Sequence, residues 1–163
     1  EQTELCMVKK GTLVGTTTFP FGKSHLIRAV KKYARMPPSG VSAFLKLYVE
    51  GNGTGPLFER AEKLLQIAEM EWLNQLSRVL SYFSEELFLP QTLFITVDDD
   101  VAPLFARALE KEDFSTFTLS PAKLRIITLT TESLDKTVTW APSLPHDPFV
   151  GLISSFANRL RYA

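Results

Sequence analysis

Between residues 57 and 87 the apolar side chains Ala61, Leu64, Leu65, Ala68, Trp72, Leu76, Val79, Leu80, Phe83 and Leu87 recur in steps of three and four. A helix of 3.6 residues per turn stacks such a series along one face, and a strand, with its period of two, cannot. The pattern predicts one helix from about residue 57 to 88 with an apolar stripe along its whole length. Such a helix is unstable alone, so the rest of the chain must give it a surface to lie on. A coiled-coil seam would also use this stripe, but a long helix lying across a sheet is the commoner setting and is the one expected here.

Sheet-forming segments stand on both sides of that helix. Residues 3 to 8 and 12 to 19 are β-rich runs around "KKG", with Gly11 placed for the turn of an antiparallel hairpin. Past "FPFGKS", Leu26, Ile27, Val30 and Ala34 share one helical face with Ser24 as the expected N-cap, and "RMPPSG" ends that helix. A short helix in "VSAFLKLYV" runs into "EGNGTGP", a flexible break and the best site for a nick or insertion. Beyond Pro90, "TLFITV" is a near-continuous apolar run, as in a strand covered on both faces. A helix from about Val101 to Glu110 should follow, turning Leu104, Phe105, Ala108 and Leu109 inward, with Asp99 or Asp100 as N-cap. "LRIITLT" supplies another strand. In the tail, Asp147 caps a helix that starts at Pro148 and carries Phe149, Leu152, Ile153, Phe156 and Leu160 on one face. The order is β-β-α-α-α-β-α-β-α, without repeats or low-complexity tracts. The hairpin and the strands at 92 to 97 and 124 to 130 are expected to share one sheet, crossed by the long helix.

At 163 residues the chain suits one domain with a real core. Its 18 basic and 18 acidic side chains cancel, so no global field draws it to nucleic acid or anionic lipid, and nucleic acid is not an expected partner. The single cysteine, Cys6, sits in a strand-like run between Leu5 and Met7 and is expected to pack in the core. With no second cysteine there is no internal disulfide and no thiolate zinc site, which points to a reducing, cytoplasmic compartment. No apolar run approaches the roughly 18 residues of a spanning helix. The sequence opens on "EQTELCMV" without a methionine, already inside a strand, and is expected to be a piece of a longer protein.

Four stretches, in their order and spacing, carry a resemblance. "QTELCMVKKGTLVGTTTFPFGKSHLIRAV" is similar to the pattern T-T-D-I-A-V-F-x-x-G-x-L-V-x-T-x-x-I-P-V-G-G-x-x-I-T, with Thr3, Glu4, Gly11, Leu13, Val14, Thr16, Pro20, Gly22 and Ile27 in register. "SAFLKLY" stands where that pattern continues with A-E-x-x-K. "LFITVDDDVAPLF" stands where it has I-V-L-T-G-G-G-A-x-L-P-G-L. "HDPFVGLISSFANRL" resembles a closing D-P-x-x-A-x-x-G-L through Asp147, Pro148, Gly151 and Leu152. These motifs open, cross and close the second domain of FtsA and PilM-type proteins in the actin-like ATPase superfamily, and the chain resembles a divergent bacterial branch of it. The resemblance implies an α/β, ribonuclease-H-like (actin-like) mixed sheet flanked by helices, with residues 1–163 as a single second domain. The first strand of that sheet, central in the fold, is expected to lie outside these residues.

The resemblance also implies a nucleotide pocket, here degenerate, formed by Thr3, Gly22, Lys23, Lys46, Val97, Asp98 and Asp99. The family's glycines let bare backbone lie against adenine and phosphate. Val97, Asp98 and Asp99 put three side chains and two carboxylates there instead. Lys23 replaces a glycine, and Ala43 stands where a glutamate is expected, whereas Thr3, Gly22 and Lys46 persist. Asp98, Asp99 and Asp100 are also a candidate magnesium site at a strand's C-terminal end, since Mg²⁺ needs only one or two carboxylates plus waters. The commoner setting for such residues is a helix start, where the helix dipole favours acids. His25 and His146 have no serine or cysteine at the spacing of a hydrolase triad.

The expected function is therefore a non-enzymatic, actin-like scaffold for bacterial cell division or pilus biogenesis, a pseudo-ATPase without a cofactor. Its expected partners are proteins: further copies of itself or membrane-associated division or pilus components. It would be cytoplasmic and reach the inner membrane only peripherally. Two alternatives stay open: an ATP- and magnesium-binding domain of an active actin-like ATPase, and a magnesium-dependent phosphohydrolase using Asp98 to Asp100.

Overall fold

The computed structural model describes residues 2–86, 89–118, 123–143 and 146–160. Two compact units divide the chain: Glu1–Leu89 with Phe114–Pro121, and Pro90–Asp113 with Ala122–Ala163. Six helices and two small two-stranded sheets lie among the described residues, so the class is mixed α/β.

The first unit opens with the expected hairpin. Strands β1 (Thr3–Lys9) and β2 (Thr12–Phe19) pair antiparallel. Their two-residue turn, Lys10 at φ 50° and Gly11 at φ 78°, has both residues left-handed, the geometry that follows the twist of the strands. Thr3, Leu5 and Met7 face inward on β1, whereas Glu4 and Cys6 face solvent. Cys6 is thus exposed rather than packed in the core. The strand's period of two sets it opposite Leu5 and Met7, and the hairpin has a covered side only on their face. Partial burial of the thiol, and then the nearby Glu4 carboxylate, raise its pKa.

Helices α1 (Lys23–Ala34), α2 (Pro38–Glu50) and α3 (Pro56–Glu86) follow. The α1 N-cap is Gly22, not Ser24, which lies inside the first turn. A side chain at position 22 would press on the Gln2 backbone, its Cβ only 3.0 Å from the Gln2 carbonyl oxygen. On α3, Ala61, Leu65, Ala68, Trp72, Leu76 and Leu80 are buried, with Leu73 and Glu69 beside them. Leu64, Val79 and Phe83 are half-buried, and Leu87 lies outside the described residues.

The stripe is as expected, but its chief partner is different. The main packing of α3 is on α1, with smaller contributions from α2, β2 and a 3-10 turn at Ser115–Phe117. Leu26, Val30 and Ala34 of α1 and Val41, Phe44, Leu45 and Tyr48 of α2 complete this core. The 31 residues of α3 span about 46 Å at about 1.5 Å each. Two strands about 4.8 Å apart cannot cover that length, so helices supply most of the surface. Full burial of a side chain such as Leu65 contributes about 2 kcal/mol.

In the second unit β3 (Thr92–Ile95) pairs parallel with β4 (Arg125–Thr128), matching Leu93 to Ile126 and Phe94 to Ile127. Between them runs α4 (Ala102–Lys111), which buries Leu104, Phe105, Ala108 and Leu109 as its spacing predicts and packs on β4. Among the described residues the strands form two separate ladders and not one shared sheet, because β1 pairs only with β2 and β3 only with β4. Nor is β3 covered on both faces, since Phe94 is 60% exposed.

A single turn, α5 (Thr131–Leu134), precedes α6 (Pro148–Leu160). Asp147 caps α6 as expected, its Oδ1 accepting from the Phe149 N–H at 2.8 Å and the Val150 N–H at 3.1 Å. Among its described side chains, two of the apolar residues expected to face inward are exposed. Pro148 and Gly151 are buried and Leu152 half-buried, whereas Phe149, Val150 and Ile153 are exposed. Gly151 sits so close to Leu134 and Trp140 that a Cβ would lie 2.9 Å from Leu134 Cδ1. The side chains of Phe156 and Leu160 lie outside the description.

Candidate functional site

The residues of the expected nucleotide pocket fall into two groups, one in each unit. In the first unit Thr3 and Gly22 are drawn together at the start of α1. Gly22 lies against Gln2, and the Thr3 hydroxyl donates to the Phe21 carbonyl at 2.6 Å. The same hydroxyl accepts the indole N–H of Trp72 at 2.8 Å. Thr3 therefore ties the start of the hairpin to the segment just before α1 and to α3. A hydroxyl has one proton to give, and here a main-chain carbonyl takes it. Lys23 follows as the first residue of α1. Lys46 stands exposed on α2, its ammonium 4.0 Å from Glu50 one turn along, a separation at which a surface pair contributes little.

Two further polar pairs sit in this unit. The Nε2 of His25 is 2.9 Å from Glu71 Oε2, which links α1 to α3, and the imidazole meets the Phe21 ring edge-on at 4.5 Å. An imidazole held by a carboxylate is one half of an acid–base arrangement, and the other half would be a nucleophile or substrate at its second nitrogen. Deeper in the core, the Tyr48 hydroxyl donates to Glu69 Oε2 at 3.2 Å. Sequence reasoning missed both pairs, and only one had a visible signal: Glu69 is a charged residue beside Leu65 and Trp72 on the buried face of the stripe.

In the second unit residues 96–100 leave β3 and turn into α4. The Asp98 carbonyl accepts from the N–H groups of Val101 and Ala102 at 3.0 and 3.1 Å. Val101, with φ −116° and ψ −5°, occupies the N-cap position expected for Asp99 or Asp100. Val101 offers no side-chain acceptor, so main-chain carbonyls do the capping. Asp99 is exposed, and its carboxylate accepts from the Thr131 hydroxyl at the start of α5. That bond bridges the loop after β3 to the first residue of α5. Val97 and Asp98 are half-buried and Asp100 is exposed.

Among the described residues no three His, Cys, Asp or Glu side chains gather where a metal ion could sit, Asp98, Asp99 and Asp100 included. Adjacent residues point in different directions, so three in a row seldom converge on one ion. His146 stacks on Trp140 at 4.8 Å, and the Trp140 indole donates to Asp135 at 2.5 Å. Among the described residues no helix is long and apolar enough to cross a membrane. No protein-family model, curated protein or solved structure matches the chain.

Proposed function

We propose that the chain is a non-enzymatic assembly domain of the actin-like type, a scaffold with a closed nucleotide site related to FtsA and PilM-type proteins. It works in the cytoplasm at a membrane-associated division or pilus assembly. Its partners are proteins: further copies of itself or components of that assembly. The observation that carries this reading is the use made of residues 97–99. Where the resembled family needs bare backbone, the Asp98 carbonyl is occupied by the start of α4 and the Asp99 carboxylate by Thr131. Two carboxylates at such a place also repel a polyphosphate, by about 1 kcal/mol per charge pair at 4 Å even in bulk water. Thr3, which the resemblance assigns to the nucleotide, is likewise taken up by Phe21 and Trp72.

Calorimetric titration of the protein with ATP and Mg²⁺ tests the proposal. No saturable heat is expected at millimolar ligand, and glycine at 97–99 should strengthen binding. Tight binding by the unaltered protein would favour an active ATPase. Magnesium-dependent hydrolysis of a phosphate ester, lost in Asp98→Asn, would favour a phosphohydrolase.

A further inference from the structure

In the loop between α2 and α3, Asn52 is followed by Gly53, and both belong to a segment outside any helix or strand. We infer that Asn52 is a site of spontaneous covalent modification, converting to aspartate and isoaspartate through a cyclic imide, and that the conversion repacks the junction between α2 and α3. The reaction needs a side-chain amide free to turn, a following main-chain nitrogen free to lose its proton, and little bulk on the following residue. Asn52 is exposed, and among the described residues none hydrogen-bonds its side-chain amide. Among the same residues no main-chain carbonyl accepts the Gly53 N–H. Glycine is the residue least able to obstruct ring closure, and asparagine is among the thermolabile residues.

The steps balance with water alone. The Gly53 nitrogen gives its proton to hydroxide and attacks the Asn52 side-chain carbonyl carbon. A carbon–nitrogen bond forms, and the amide nitrogen leaves as ammonia with a proton from water. Water then opens the five-membered imide at either carbonyl. One opening restores the original main chain with a new carboxylate, and the other routes the main chain through the side-chain carbon and lengthens it by one methylene. Because the nucleophile is a deprotonated amide, the rate rises with pH.

The surroundings of Asn52 give this chemistry a structural consequence. The Asn52 N–H closes the end of α2 on the Leu47 carbonyl at 3.0 Å. Gly53 lies under the ring of Phe58, where a Cβ would come within 1.9 Å of Cε2. Phe58 in turn packs on Phe44 of α2, ring centres 5.0 Å apart. An added methylene just before Gly53 shifts the glycine out from under that ring. Asn74 and Asn158 lie inside α3 and α6, where helical geometry opposes ring closure, and they serve as internal controls.

The test is to age the full chain in warm, mildly alkaline buffer and digest it with trypsin. The peptide from residue 47 to 60, bounded by Lys46 and Arg60, is then followed by mass spectrometry and by isoaspartyl methyltransferase labelling. Acid and isoaspartate should accumulate at residue 52 at least about tenfold faster than at Asn74, which is held in a helix and is followed by Gln75 rather than glycine. Asn52→Gln should abolish the labelling. Conversion no faster than at Asn74, or conversion of the free peptide but not of the folded protein, would overturn the inference.

Discussion

α3 and α6 carry the same kind of apolar spacing and meet opposite fates. Along α3 the stripe from Ala61 to Leu80 is closed, with Ala61 and Leu65 fully buried. On α6 two residues of the expected stripe are open, Ile153 at 68% and Phe149 at 47% exposed, as is the neighbouring Val150, while Leu152 is half-buried. Spacing decides which side chains share a face, but not whether a surface waits for that face. α3 has one, built by α1 and α2. α6 is held at its glycine instead, since Gly151 allows the helix backbone to approach Leu134 and Trp140. The exposed apolar face then stays outside.

This difference sets a ranking of substitutions. Leu65→Ala removes fully buried atoms from the closed stripe and should destabilise the protein by about 2 to 5 kcal/mol, visible as a lower urea midpoint. A cost near zero would mean that the α1–α3 core is loose. Asp147→Ala removes the acceptor for the Phe149 and Val150 N–H groups and should cost about 0.5 to 2 kcal/mol. Thermal unfolding followed by circular dichroism would measure it, and an unchanged midpoint would show that α6 does not depend on its cap. Ile153→Ser should change stability by less than about 0.5 kcal/mol, because the side chain is already in water. A large loss in the same unfolding assay would reveal a contact that hides this face.

What the sequence made legible follows the range of the interaction involved. The order of the elements apart from the short α5, the inward face of α4, the turn at Gly11 and the cap at Asp147 depend on residues within a few positions of each other, and these were readable. The exposure of Cys6 depends on which side of the hairpin α3 covers, and neither the strand's pattern nor its composition records that. The choice of Gly22 over Ser24 as the N-cap of α1 reflects a crossing with Gln2, some twenty positions earlier. The Trp72 to Thr3 bond spans 69 positions and left no mark in either segment. Strand pairing was the least readable feature, because "TLFITV" has the same apolar character whichever strand lies next to it. For the candidate site, the stretch at Val97 to Asp99 was visible as an anomaly. Its tie to Thr131, 32 positions beyond Asp99, was not.

Native-state hydrogen exchange on the intact chain tests most directly the claim that the α3 stripe is closed and the face of Phe149, Val150 and Ile153 on α6 is open. Amides around Leu65 in α3 should exchange only through global unfolding, and amides at 152–155 in α6 through local opening. The protection of α3 should exceed that of α6 by at least about tenfold, equivalent to about 1.4 kcal/mol. Equal protection in the two helices would contradict the account and show that the face of Phe149, Val150 and Ile153 is closed in solution.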